Sequence, residues 1–130
     1  MSTPLACIPV AFFLVYLPKI PLSIAMGKQP EGYDNKNPRD QQARLTGWGK
    51  RASAAHQNGW ESFPAFAIGA IVAHVTNARP STAAALAIAY VVARTLYPVM
   101  YIANVDKVRS LVWFVGFGAT AGLMLLPLFG

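Results

Sequence analysis

The sequence is poor in cysteine, histidine and acidic residues, with one, two and five of them in 130 residues. The single cysteine, Cys7, excludes an intrachain disulfide framework and a cysteine-based metal site. His56 has no second histidine or acidic residue at metal-ligand spacing, so no metal site is predicted. Charged residues are also few, at 12% of the chain, whereas 55% of it is hydrophobic. A soluble domain of this size would not cover that much apolar surface, so we expect one membrane domain over residues 1–130.

The hydrophobic residues fall into four segments that predict four membrane-spanning helices. These helices cover residues 4–26, the apolar end of 38–76, 82–105 and 110–129. No Lys or Arg precedes the first segment, so we expect it to be a retained helix and not a signal peptide. Its run Pro18-Lys19-Ile20-Pro21 predicts a kink or the end of the regular helix. The predicted fold is therefore an all-α membrane protein, a four-transmembrane-helix bundle.

The second predicted helix is longer than a membrane is thick. Asn37 and Pro38 form a good helix start, with Asn as the cap and Pro in the first helical position. A helix over residues 38–76 would be about 58 Å long at roughly 1.5 Å per residue, against a hydrocarbon core of about 30 Å. We expect its first turns to project from the membrane, with Gly47 and Gly49 loosening that part.

The basic residues predict an orientation. Most of them lie before the apolar part of the second helix or between the third and fourth segments; they are Lys28, Lys36, Arg39, Arg44, Lys50, Arg51, Lys107 and Arg109. The connection between the second and third segments holds only Arg79. The positive-inside rule then places both termini outside the cytoplasm and the projecting part of the second helix in it. Because these charges crowd between membrane segments, they indicate topology and not a nucleic-acid partner.

Two charged residues lie within the apolar segments, Glu61 near the start of the second span and Arg94 in the middle of the third. Such charges are costly in a membrane and mark a partner or a function. At helical spacing they extend into two polar faces, made of Arg51, Asn58 and Glu61, and of Arg94, Tyr97 and Tyr101. A Glu61–Arg94 ion pair would line a polar pocket or only tie two helices together, and the spacing leaves both open. Arg109, on the same side of the membrane, favours the pocket.

The remaining polar and aromatic residues have simpler interpretations. A lone His at the membrane interface, such as His56, is typical of a hydrogen-bonded structural residue. Trp48, Trp60 and Trp113 are expected to anchor the helices at the membrane interface.

Residues 51–66, RASAAHQNGWESFPAF, resemble the signature of the MAPEG family, the membrane-associated proteins in eicosanoid and glutathione metabolism. The later pattern Arg94-x-x-Tyr97-x-x-x-Tyr101 and the pair Arg109-Ser110 match the family in order. Residues 33–39, YDNKNPR, resemble its bacterial branch. The resemblance runs from about residue 33 to the end of the chain.

The resemblance implies a homotrimer in the bacterial inner membrane, with glutathione as co-substrate between subunits near the cytoplasmic surface. It implies transfer of glutathione to a hydrophobic small-molecule electrophile, or reduction of lipid peroxides, beside membrane lipid. It also implies site residues. Glutathione would be bound by Arg51, Asn58, Glu61, Arg94, Tyr97 and Tyr101, and its thiol would face the catalytic candidates Arg109 and Ser110.

One position departs from the family pattern and keeps other functions open. Members that use glutathione usually carry an arginine directly before the Ala-His pair, where this chain has Ala54. The alternative is a non-catalytic or lipid-binding membrane protein with the same fold. A small proton-coupled exporter is a third possibility, although such exporters normally carry an acidic residue in the first span and this first span has none.

Overall fold

A computed structural model describes all of residues 1–130 and contains helices but no strands. The helices are α1 (Thr3–Tyr16), α2 (Lys19–Gly27), α3 (Pro38–Arg44), α4 (Gly47–Val75), α5 (Pro80–Ile102) and α6 (Asp106–Leu125), with a final 3₁₀ turn at Leu126–Phe129. The all-helical prediction is confirmed. Three stretches are long and apolar enough to cross a membrane: Thr3–Gly27, Pro80–Ile102 and Asp106–Phe129. They correspond to the first, third and fourth predicted spans, and the crossing by α4 stays a prediction.

The regular helix of the first span is interrupted where the prolines predict it. The break falls at Leu17 and Pro18, between α1 and α2. Pro18 has no N–H to donate to the carbonyl of Leu14, which accepts from the amide of Leu17 at 3.2 Å instead. At this interruption no backbone hydrogen bond joins the amide of Lys19 to the carbonyl of Val15. His56 on α4 fills that gap, because its Nδ1 lies 2.8 Å from the Val15 oxygen and the ring is only 5% exposed. The prediction that His56 is a structural, hydrogen-bonded residue is confirmed.

The prediction of one continuous helix over residues 38–76 is wrong. Leu45 adopts an extended conformation with ψ of 151°, and Gly47 has a positive φ of 61°. Leu45 is buried in a small core at this end of the bundle, together with Leu22, Ala25, Met26 and Ala52. Because the Leu45 side chain is buried in this core, the backbone leaves the helix at Leu45. Gly47 adopts the positive φ that the turn requires.

Helix α4 is the centre of the bundle, since it packs against α1, α2, α5 and α6. Near its start, a Cβ on Gly49 would lie 2.7 Å from the Cβ of Ala25, so α2 approaches the α4 backbone closely. In its middle, the Phe66 ring stacks on Tyr90 of α5 with centroids 3.8 Å apart. These contacts fix the position of α4, and therefore the direction of its polar face.

The connection between α2 and α3 is held by one buried side chain, Gln41. Its Nε2 donates to the carbonyl of Gly32 at 2.8 Å, and its Oε1 accepts from the amide of Asp34 at 3.0 Å. A backbone hydrogen bond and the Gln41 side chain lower the pKa of Glu31, which also forms the molecule's one ion pair, with Arg44 at 3.7 Å. We call this side of the bundle, with residues 28–51 and 103–109, the basic end.

Candidate functional site

Two recesses lie between α4, α5 and α6. The first, the polar recess, has a volume of about 200 Å³ and is lined by Asn58, Tyr97, Tyr101, Arg109, Ser110, Trp113 and Phe114. The second, the apolar recess, has a volume of about 250 Å³ and is lined by Asn58, Glu61, Ser62, Ala65, Trp113, Phe117 and Thr120. Asn58 and Trp113 belong to both walls, so the two recesses adjoin.

Arg94 is buried behind the polar recess, at 7% exposure. Its Nη1 donates a hydrogen bond of 2.8 Å to Oδ1 of Asn58, and its guanidinium carbon lies 4.2 Å from the centre of the Tyr97 ring. The expected Glu61–Arg94 ion pair does not form. Arg94 donates its hydrogen bond to Asn58 instead, which lies almost one helical turn before Glu61. Arg94 is therefore a buried cation whose contacts are an amide oxygen and an aromatic face.

A second cation faces the polar recess from α6. The guanidinium carbon of half-buried Arg109 lies 4.4 Å from the centre of the Tyr101 ring. Tyr101 in turn meets Tyr97 edge to face, with centroids 5.7 Å apart. The two arginines are thus joined through two tyrosine rings, and the wall of this recess contains no carboxylate. A recess with this charge suits an anionic ligand.

The structure brings together five of the eight residues that the sequence assigns to a site. Asn58, Tyr97, Tyr101, Arg109 and Ser110 all line the polar recess. Their roles stay predictions.

The other three predicted residues lie elsewhere. Glu61 is exposed and lines the apolar recess, and Arg94 reaches the polar recess only through Asn58 and Tyr97. Arg51 lies in neither recess, since its Nε donates to the carbonyl of Ile102 at 3.0 Å and so satisfies the end of α5.

Trp113 is a recess residue that the sequence analysis assigned to membrane anchoring. Its indole stacks on Phe117 with centroids 5.2 Å apart and divides the polar recess from the apolar one. The available signal was its spacing, because Trp113 follows Arg109 by four residues and so lies on the same helical face.

The departure from the family pattern at Ala54 lies outside both recesses. Ala54 is half-buried and Gln57, which follows His56, is exposed; neither residue lines a recess. Within one chain, Ala54 itself therefore forms no part of the wall of either recess.

The chain matches one family model over nearly its whole length. The model describes the MAPEG family and covers residues 3–129. No curated protein and no solved structure matched the chain. The match includes the kinked first span, which the sequence resemblance did not reach. With a matched stretch that runs from α1 to the final 3₁₀ turn, the chain belongs to the MAPEG family.

Proposed function

We propose that this protein is a glutathione-dependent membrane transferase or peroxidase that acts on hydrophobic electrophiles or lipid peroxides. One observation carries the proposal: a recess lined by the cation Arg109 adjoins a recess lined in part by the apolar side chains of Ala65 and Phe117, and Asn58 and Trp113 belong to both walls. Glutathione is an anionic tripeptide, and its partner in these reactions is apolar. The family includes enzymes of this kind as well as non-catalytic members.

Arg109 is the residue best placed to favour the glutathione thiolate. A free thiol has a pKa near 8.5, and its thiolate form is the nucleophile. Lowering that value by about two units requires roughly 2.7 kcal/mol of preference for the anion. A guanidinium at hydrogen-bond distance in a partly dry recess supplies an interaction of this size. In the transferase reaction the thiolate sulfur bonds to the electrophilic carbon, the leaving group departs, and the thiol proton goes to solvent.

Asn58 is oriented to donate to a ligand. Because its Oδ1 accepts from Arg94, its amide nitrogen is left to donate into the recesses. The exposed carboxylate of Glu61, one turn along, is placed to accept from the amino group of glutathione. Tyr97, Tyr101 and Arg94 then supply the cationic and aromatic wall against its carboxylates.

We also propose that the functional unit is a homotrimer in the bacterial inner membrane. Glu61 in the second recess is exposed, so the site is open on that side in one chain. A neighbouring chain would close the open side of the site at Glu61. The positive-inside rule supports a cytoplasmic position for the basic end and an outside position for both termini.

The alternative is a lipid-binding or non-catalytic protein with the same fold, and Ala54 is the observation that favours it. One lost charged hydrogen bond to a glutathione carboxylate would cost roughly 1.5–3 kcal/mol, or about ten- to a hundredfold in affinity. The lost bond would weaken the affinity for glutathione and leave the fold unaffected.

The test is an ultraviolet titration of the glutathione thiolate on the purified protein in detergent. We expect Arg109→Ala to abolish the thiolate absorbance at neutral pH and to leave the assembly intact. The control is Lys107→Ala, an exposed residue on the same turn, which should behave like the wild type. Thiolate absorbance that survives in Arg109→Ala refutes the role of Arg109. Chloro-dinitrobenzene and cumene hydroperoxide then separate transferase from peroxidase activity.

A further inference from the structure

Lys19 is the one charged residue in the apolar span Thr3–Gly27. It begins α2, directly after the bend at Pro18, and is half-buried. No carboxylate lies within 4.0 Å of its amine, because the molecule's one ion pair joins Arg44 to Glu31. An ammonium group in an apolar span is costly unless an anion meets it, and the chain itself provides none.

Lys19 lies toward the basic end of the bundle. It follows Val15 by one helical turn, and Val15 is the residue that meets His56 of α4. On α4, the basic end lies in the direction from His56 to Arg51. Lys19 therefore lies between the middle of the span and the membrane surface on that side, within reach of a headgroup for a flexible four-carbon side chain.

A shallow, open groove surrounds this lysine on the surface of α1 and α2. The groove has a volume of about 580 Å³ and is lined by Phe13, Tyr16, Leu17, Lys19, Ile20, Ser23 and Ile24. Its polar members are Tyr16, the last residue of α1, and Lys19 and Ser23, which lie four residues apart on one face of α2. The others are apolar and open to the surroundings, with Phe13 69% and Ile20 63% exposed.

We propose that this groove binds an anionic phospholipid of the leaflet at the basic end. The phosphodiester accepts hydrogen bonds from the Lys19 amine and from the hydroxyls of Tyr16 and Ser23, while an acyl chain lies along Phe13 and Ile20. Charge complementarity favours an anionic phospholipid as the ligand of this groove. The cation has no partner in the chain, and the groove opens on the outer surface of the bundle, where a lipid is the available anion.

The experiment measures lipid binding to the purified full chain in detergent by native mass spectrometry. Phosphatidylglycerol and phosphatidylcholine with identical acyl chains are compared, and we expect the anionic lipid to bind about fivefold more tightly. Lys19→Gln should lose this preference and Lys19→Arg should keep it. The matched control is Lys50→Gln, which removes an exposed lysine of α4 outside the groove and should keep the preference.

Several results overturn the proposal. They are equal binding of the two lipids by the wild type, a preference that survives in Lys19→Gln, and displacement of the lipid by oleate at lower concentration, which would assign the groove to a fatty acid. Dissociation of the assembly in Lys19→Gln would assign the groove to contact with a second copy of the chain. If Lys19→Gln does not fold, Ser23→Ala decides. It removes one hydroxyl and should weaken phosphatidylglycerol binding about threefold, and unchanged binding refutes the model of the headgroup site.

Discussion

Replacing Asn58 by alanine removes the acceptor that holds the buried Arg94. The structure sets the expected magnitude. Hydrogen bonds between uncharged side chains of membrane helices contribute on average about 0.6 kcal/mol, whereas a bond to a charged group contributes about 1.5–3 kcal/mol. Arg94 is charged, 7% exposed, and bonded to Asn58 at 2.8 Å. The higher range therefore applies, and we expect Asn58→Ala to lower the free energy of unfolding by about 1.5–3 kcal/mol.

The assay is thermal unfolding in detergent, followed by far-ultraviolet circular dichroism. For a chain of this size the expected loss lowers the unfolding midpoint by roughly 5–12 °C. Asn58→Asp restores an acceptor for Arg94 and should recover at least half of the lost stability. The matched control is Gln57→Ala, an exposed neighbour, which should stay within about 0.5 kcal/mol of the wild type. A midpoint for Asn58→Ala equal to that of the Gln57 control would refute the Arg94–Asn58 bond.

Two further predictions concern the packing of α4. Gly49→Ala places a methyl group 2.7 Å from the Cβ of Ala25, so it should destabilise the protein by about 1–3 kcal/mol despite the better helix propensity of alanine. Gly118→Ala meets no atom within 4 Å and should be neutral or stabilising in the same thermal assay; the reverse order of the two variants would contradict the close approach of α2 to α4. His56→Ala leaves the buried carbonyl of Val15 without a donor and should cost about 1–3 kcal/mol, a claim that an unchanged unfolding midpoint would refute.

The sequence predicts the helical class and the bend in the first span because both depend on local chemistry. Hydropathy locates apolar helices, and Pro18 interrupts the hydrogen bonding of any helix that contains it. The break after α3 is different. Gly47 marks a weak point in the helix, but the turn depends on Leu45, whose burial against Leu22 and Met26 brings together residues that are far apart in the chain.

The arrangement of the site also depends on contacts between helices that the sequence does not specify locally. Helical spacing places Asn58 and Glu61 on one face and Arg94 and Tyr97 on another, but spacing does not fix how two helices are rotated and shifted against each other. A shift of less than one turn decides whether Arg94 meets a carboxylate or an amide, and it meets the amide. Spacing also places Trp113 on the helical face of Arg109, but only the packing of α6 against α4 puts it in the wall that the two recesses share.

Calorimetric titration of the purified protein with reduced glutathione in detergent tests the central claim most directly. If the two adjoining recesses between α4, α5 and α6 form a glutathione site, with Glu61 in the wall of the second, the wild type gives saturable binding, and Glu61→Ala weakens it by about tenfold or more. Absence of saturable binding to the folded wild-type protein would contradict the account.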